Sequence, residues 1–351
     1  MLAKNQKISH SQLYCQIVLT CVGIYLLCIP GWESMLGRCG ILGLGIALIV
    51  FLFCSIFLVR ISYVFTSMQK YFGVWGSIVV SLFYLVFLLH SGIFLLLRME
   101  EIIRHYLVNG VASWIIEILT ILVCYMGSAK GLQRRGRLAQ ACVPVLLAAL
   151  CLMFFLGIFQ TEPRYLAVHA PLSFETLSKG SYGMFCAFVP LFLLPVTLKQ
   201  VEKPYSTIGT VFVAVTTLAG ILAAAMLLLQ GTFGLYGTRA HTYPMIDLMA
   251  GVGLPGGFME RMDVFWIIFV VFSLLFALGS TFFYCGEVLD RIGGKQVSFL
   301  TMAVVWIGTV ILKGQENALW WYGEMLRYVY IPVFLLISAA AGILGRRRKA
   351  I

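Results

Sequence analysis

Long apolar stretches alternate with short polar links along the whole chain. Stretches of about twenty apolar residues are long enough to cross a bilayer as helices. They predict about ten spans, near 11–30, 39–59, 74–97, 111–129, 138–159, 181–198, 206–229, 264–286, 297–312 and 328–345. Because no soluble domain interrupts them, the pattern predicts an all-α polytopic membrane protein in which residues 1–351 form a single transmembrane domain.

Composition agrees with this prediction, and the distribution of charge gives an orientation. Of the 351 residues, 61% are hydrophobic and 11% are charged, with a mean hydropathy of +0.97, which excludes a soluble globular domain. Basic residues concentrate in the links on the side of the two termini, so the positive-inside rule places both termini in the cytoplasm. The net charge of +11 then reflects topology and contact with anionic membrane lipid, and we expect no binding of nucleic acid.

The spans divide into two halves of five helices, approximately 11–159 and 181–345. An odd number of helices per half gives the second half the opposite orientation. The first span of each half contains residues that weaken a helix, Gly23 and Pro30 in one and Pro190 in the other. Ten spans can pack in other ways, but these features favour a LeuT-like five-plus-five inverted repeat with helices 1 and 6 broken at its centre.

Broken helices offer backbone donors and acceptors at membrane depth, which predicts a small polar site between them. The ligand-binding candidates between spans 1 and 6 are Thr20, Gly23, Ile24, Tyr25, Phe188 and Pro190. A structural alternative applies to two of them: Gly23 would permit close helix packing, and Pro190 would be an ordinary membrane-helix kink.

Three polar residues in other spans are further ligand-binding candidates. His90 lies inside span 3, where an ionisable side chain usually faces protein or water. A neutral His90 bonded to a nearby carbonyl or serine is the favoured alternative to a proton-linked or ligand-contacting role. Ser273 and Ser280 lie at helical spacing in span 8 and would either line the site or bond to their own backbone.

Patterns typical of catalysis or metal binding are missing from the sequence. There is no phosphate-binding glycine loop, no His-Glu-x-x-His and no paired metal-ligand spacing. We therefore expect no enzymatic activity, no metal and no cofactor. The acidic residue of span 4, Glu117, is expected to form a structural ion pair with Arg98 or Arg104.

Segment 242–266 resembles the GerAB-type endospore germination permeases, the B subunits of spore germination receptors. The family pattern is an aromatic residue, Pro-x-x-(Glu/Asp)-Leu, a glycine-rich turn and Glu-Arg-x-Asp, matched here by Tyr243, Pro244, Asp247, Leu248, Gly256, Gly257, Glu260, Arg261 and Asp263. Further matches are Lys-Ile-Ser at 7–9, the end of span 1 at 23–30 and the Arg-Gly-Arg turn at 135–137 before span 5. The resemblance covers nearly the whole chain.

This resemblance implies a receptor subunit with a permease-like fold that senses a small nutrient, such as an amino acid, in the spore inner membrane. It implies action together with A and C subunits, and a gating or partner-contacting role, beyond helix capping, for Glu260, Arg261 and Asp263. Phe188 stands where many relatives carry an acidic residue, so the charge of the ligand and any ion coupling stay open. An ion-coupled amino acid transporter of the same fold is the alternative function, and a purely structural subunit is a third.

Overall fold

The computed structural model describes residues 7–28, 37–108, 110–128, 131–167, 172–251, 262–292, 298–315 and 317–347. Within these ranges the regular structure is helical, apart from an isolated bridge between Ile8 and Val201. The first helices are α1 (His10–Leu27), α2 (Arg38–Thr66), α3 (Met68–Ile102), α4 (Ser113–Ser128), α5 (Gly131–Ile158), α6 (Pro163–Ala167) and α7 (Phe174–Ala187). They are followed by α8 (Leu194–Thr197), α9 (Ile208–Ala240), α10 (Pro244–Ala250), α11 (Met262–Ile292), α12 (Ser298–Leu312), α13 (Ala318–Met325) and α14 (Ile331–Arg347).

Most of the described helices are long and apolar enough to cross a membrane. Seven meet this criterion alone, or eight when α7 and the bent segment after it count as one span. Two shorter apolar helices, α4 and α12, occupy the positions of predicted spans 4 and 9. The helical membrane architecture is therefore confirmed, while the count of ten spans stays a prediction.

Helix α1 begins with a capping box and runs without interruption. Ser9 accepts a hydrogen bond from the backbone of Gln12, whose side chain bonds back to the backbone of Ser9. The prediction that span 1 breaks near Gly23 is wrong, because His10–Leu27 is one continuous helix. A single glycine costs a helix only about 1 kcal/mol, and buried contacts along α1 offset that cost. Pro30 lies outside the described residues.

The sixth span is interrupted, as predicted. Helix α7 ends before Phe188, a 3-10 segment follows over Val189–Leu193, and the two parts of the span meet at an angle of 47°. Pro190 has no backbone N–H to donate into a regular α-helix, and the chain makes tighter turns here: the N–H of Leu191 bonds to the carbonyl of Phe188 at 3.0 Å. We call Val189–Leu193 the sixth-span break.

Helices α1 and α11 form the interior of the bundle. In the most apolar stretch of each helix, 67% of the residues are buried in α1 and 72% in α11, against 28% in α5. Helix α1 packs on α5, α9 and α11, and α11 also packs on α3 and α4. Large apolar side chains on α2, such as Phe53, lie exposed on the outside, as expected for a surface that faces lipid. The interior location of α1 and α11 places them beside any site at the centre of the protein.

Two glycines produce nearly identical kinks at different places in the chain. Gly73, early in α3, has φ 75° and ψ 176°. Gly234, late in α9, has φ 71° and ψ 177°. Both conformations lie in a region that glycine adopts far more readily than other residues, so each kink depends on its glycine.

Candidate functional site

A cavity of about 110 Å³ lies inside the bundle, where the sixth-span break faces α1. Helices α3, α5, α7, α8, α11 and α13 and the segment after α13 complete its walls. Most of the lining is apolar, and its polar side chains belong to Gln16, Thr20, Ser91, Arg135, Thr197, Ser280, Thr281, Tyr284, Tyr322 and Arg327. A concave apolar surface with a few polar groups is typical of a small-molecule site.

A serine of α11 bridges one turn of α1 beside this cavity. The backbone N–H of Gly23 donates to Ser273 Oγ at 2.8 Å, and that hydroxyl donates to the carbonyl of Leu19 at 2.6 Å. Leu19 and Gly23 are also the residues that one regular helical hydrogen bond would join. A Cβ on Gly23 would lie 2.9 Å from Ser273 Oγ and 3.0 Å from the backbone nitrogen of Leu274. Gly23 therefore allows α1 and α11 to approach closely.

The predicted ligand-binding residues fall into two groups. Those that line the cavity are Thr20, Ile24, Pro190 and Ser280. Those that lie outside its lining are Gly23, Tyr25, His90, Phe188 and Ser273. The side chains of the predicted gating residues are outside the described part of the chain: Glu260, Arg261 and Asp263. Contact of any of these residues with a ligand or partner stays a prediction.

Aromatic side chains pack against the sixth-span break on the side that faces α2 and α14. Phe188 is fully buried and stacks on Phe51 with ring centroids 5.0 Å apart, while Tyr25 meets it edge-on at 6.0 Å. Phe192 stacks in the same way on Phe334 at 5.3 Å. Such ring pairs add to the burial of apolar surface and hold the break in place against α2 and α14.

His90 lies one side chain behind the cavity. Its Nδ1 is 2.8 Å from the hydroxyl of Tyr330, and its ring packs edge-on against Tyr322. Tyr322 lines the cavity, stacks on Phe94 at 4.1 Å and lies 3.0 Å, through its hydroxyl, from Ser91 Oγ. The hydrogen-bond partner of His90 is thus a tyrosine from the last span, instead of the expected carbonyl or serine. Sequence alone could not identify a partner 240 residues away.

The ion pair of Glu117 differs from the predicted one. Glu117 is buried, and its Oε1 lies 2.6 Å from the ammonium of Lys313, which also lies 3.2 Å from Glu100. The expected pairing of Glu117 with Arg98 or Arg104 is therefore wrong, and Arg104 pairs with Glu100 at 3.0 Å. These pairs join α3, α4 and the segment after α12, and a structural role of Glu117 stays a prediction.

Arg135 is a cavity residue that sequence reasoning missed. The family resemblance places it in a turn before span 5, but α5 already begins at Gly131. The side chain of Arg135 is only 6% exposed and lines the cavity. A signal was present in the sequence: Arg135 precedes Ala139 and Val143 at steps of four, and both lie on the buried face of α5.

Comparison with known proteins identifies the family. Residues 7–318 match the spore permease family, whose description is spore germination protein. The chain belongs to this family. Over 282 residues it is 21% identical to the spore germination protein YndE of Bacillus subtilis (strain 168). The aligned region covers 79% of this chain and 77% of that relative. The sequence-based identification of a germination permease is confirmed.

This member of the spore germination protein family shares its fold with a solved transporter. That structure shows a Na+-coupled sialic acid symporter in a substrate-bound outward-open state, and the match has a TM-score of 0.62 at 13% identity. It covers 96% of this chain and 76% of the symporter. At this identity the likeness concerns the fold alone, which is of the LeuT type. The family and the fold neighbour are both permease-like or transporter-like, and neither is a class of enzyme.

Part of the family pattern joins α10 to the end of α3. Tyr243 donates through its hydroxyl to Glu101 Oε2 at 2.6 Å and accepts from Arg98 Nη1 at 3.0 Å. Asp247 accepts from the hydroxyl of Tyr106 at 3.2 Å. Burial raises the pKa of the Tyr243 hydroxyl, Arg98 lowers it and Glu101 raises it again, with a net upward shift. The hydroxyl therefore stays protonated and can donate to the carboxylate, so these residues fasten α10 over the bundle.

Proposed function

We propose that this chain is a nutrient-sensing subunit of a germinant receptor and binds a small amino acid in the cavity beside the sixth-span break. The observation that carries this proposal is the cavity, with its apolar walls and few polar groups, in a member of the spore germination protein family. A ligand there would contact α1, α3, α11 and the break together, so binding would favour one arrangement of these helices over another. The subunit would pass this change to A-type and C-type subunits in the spore inner membrane.

The size of the cavity favours a small amino acid. An apolar cavity of roughly 150 Å³ accommodates benzene, with about six non-hydrogen atoms, and the cavity here measures about 110 Å³. L-Alanine has as many non-hydrogen atoms as benzene, so it fits with a slight opening of the walls. Amino acids with large side chains would need a larger rearrangement of the helices.

The architecture that we propose is the five-plus-five inverted repeat with ten spans and both termini in the cytoplasm. Gly73 and Gly234 support the repeat, because each produces the same kink between the second and third span of its half. The sixth-span break supports the repeat as well, because this architecture places an interrupted helix at the start of the second half. In the first half, α1 takes part as a continuous helix and not as a broken one.

An ion-coupled amino acid transporter of the same fold is the second candidate function. It is favoured by the fold shared with a Na+-coupled symporter. The two candidates differ in whether the amino acid crosses the membrane, because a receptor needs only to bind it.

The experiment measures thermal unfolding of the purified full chain with each of the common L-amino acids, and with glucose and inosine as other nutrients. A ligand that binds only the folded state raises the melting temperature with a saturating concentration dependence. We expect such a rise with at least one small amino acid, and no rise with any amino acid would contradict the proposal. Uptake of labelled L-alanine into proteoliposomes that contain only this chain would favour the transporter over the receptor.

A further inference from the structure

Arg135 places a positive charge in the wall of the cavity. Its guanidinium Nη2 donates to the carbonyl of Phe276 at 3.0 Å and to the hydroxyl of Ser280. The guanidinium carbon lies 4.5 Å from the ring centroid of Phe276 and 6.0 Å from that of Phe283. Arg135 thus bonds to α11 through neutral groups, a carbonyl, a hydroxyl and aromatic faces.

Within the described part of the chain, no carboxylate is paired with Arg135. The ion pairs of the described residues do not include it, and the described lining of the cavity contains no Asp or Glu. The other arginine of the lining, Arg327, has an acidic partner, Glu324, at 3.5 Å. The cavity therefore carries an excess of positive charge, and that excess is located at Arg135.

A cation buried to this extent is costly unless it is paired, and neutral acceptors offset only part of that cost. Both hydrogen bonds described for the guanidinium leave from Nη2, and no acceptor for the donors on Nη1 or Nε is found among the described residues. The guanidinium is a planar fork of donors that matches a carboxylate better than any other side chain does. An anionic ligand in the cavity would supply the missing negative charge.

We propose that the cavity selects ligands that carry a carboxylate, and that Arg135 is the residue that recognises this group. This inference rests on the proposed function and extends it, because it names the part of the amino acid that determines recognition. The cavity offers no carboxylate to an ammonium among its described lining residues. The carboxylate of the ligand is therefore required, while its ammonium contributes less.

Three small molecules of similar shape separate these contributions. L-Alanine carries both charges, propionate lacks the ammonium, and L-alaninamide lacks the carboxylate. Each would compete with labelled L-alanine for binding to the purified full chain. We expect propionate to compete within about tenfold of L-alanine, and L-alaninamide to be weaker by at least about a hundredfold, since a site built around a polar group rejects analogues that lack it.

Substitutions test whether Arg135 causes this preference. In Arg135→Gln, the preference for L-alanine over L-alaninamide should shrink by at least about tenfold, and in Arg135→Lys, which keeps the charge, most of it should remain. The matched control is Arg137→Gln, an exposed arginine on the same helix, which should keep the wild-type preference. If Arg135 had only a structural role, its substitution would alter the stability of the protein without changing the preference for L-alanine over L-alaninamide.

Different results would overturn different statements. Equal competition by L-alanine and L-alaninamide in the wild type, or an unchanged preference in Arg135→Gln, would overturn the role of Arg135 while amino acid binding itself still stood. No binding of any amino acid or of propionate would overturn the proposed function as well. If Arg135→Gln does not fold, the wild-type competition and Arg135→Lys still test the role of Arg135. A folded Arg135→Lys that binds L-alanine and L-alaninamide equally well would contradict a role for the positive charge at this position.

Discussion

The close contact of α1 with α11 predicts opposite effects for the same substitution at two glycines. Gly23 lies in α1 against Ser273, whereas a Cβ at Gly45 in α2 would meet no atom within 4 Å outside its own stretch of helix. Alanine at Gly23 must therefore displace its neighbours, and alanine at Gly45 extends into open space. We expect Gly23→Ala to destabilise the protein and Gly45→Ala to leave it unchanged or to stabilise it.

The distances give the magnitude. A Cβ at Gly23 would lie 3.0 Å from the backbone nitrogen of Leu274, which cannot move aside as a side chain would. Overpacking of this kind costs about 1–3 kcal/mol, and displacing the hydroxyl of Ser273 loses a hydrogen bond worth about 1 kcal/mol. The higher helix propensity of alanine offsets about 1 kcal/mol of this loss of stability. The net expectation is a loss of about 1–3 kcal/mol for Gly23→Ala, against a gain of up to about 1 kcal/mol for Gly45→Ala.

The assay is reversible unfolding of the purified chain in mixed micelles by increasing the fraction of a denaturing detergent. Gly220→Ala, in α9, is a second control, since a Cβ there would also meet no atom within 4 Å outside its own stretch of helix. The expected order of unfolding free energies is Gly23→Ala lowest, with wild type and both controls above it. If Gly23→Ala were as stable as the two controls, the packing of α1 on α11 described above would be refuted.

Two further predictions concern ionisable residues outside the cavity. Glu117→Ala should lower the unfolding free energy by about 1–3 kcal/mol, because Lys313 loses its closest partner and Trp306 loses the acceptor of its ring N–H. Glu175→Ala removes an exposed pair of the same 2.6 Å length and should have no measurable effect. Equal effects in the detergent titration would contradict this. His90→Phe should lower the unfolding free energy by about 1 kcal/mol, because the hydroxyl of Tyr330 loses its hydrogen bond. The same substitution should leave L-alanine binding unchanged in an equilibrium binding assay. Weakened binding would instead place His90 at the ligand.

The elements of the fold could be predicted from the sequence to the extent that they depend on local chemistry. Nine of the ten predicted spans each overlap one apolar helix and the sixth overlaps a bent pair of helices, because hydropathy and length are local properties of the sequence. Pro190 predicted the sixth-span break correctly, since proline lacks the N–H that a helix needs. Gly23 did not break α1, because a glycine only weakens a helix and the outcome depends on what packs against it. That partner, Ser273, lies 250 residues away in the chain.

The site was predicted less completely, because side-chain orientation and long-range pairing determine it. The side-chain oxygens of Thr20 and Ser280, two of the predicted lining residues, lie 3.4 Å apart. Phe188, in contrast, belongs to an aromatic cluster behind the break. Arg135 was assigned to a basic turn together with other arginines, although its spacing from the buried face of α5 distinguishes it. The partner of Glu117 follows from the folding of the chain after α12 and has no local signal.

The proposed function requires that a small amino acid binds inside the cavity beside the sixth-span break. Ala277 lies in α11, is 2% exposed and lines this cavity, so leucine at this position would occupy space that the ligand needs. Val213 lies in α9 with its side chain exposed, so Val213→Leu is the matched control. The direct measurement is equilibrium binding of labelled L-alanine to the purified wild type, Ala277→Leu and Val213→Leu. We expect equal affinity for wild type and Val213→Leu and an affinity at least about tenfold weaker for folded Ala277→Leu. Equal affinity in all three would contradict binding of the amino acid in this cavity.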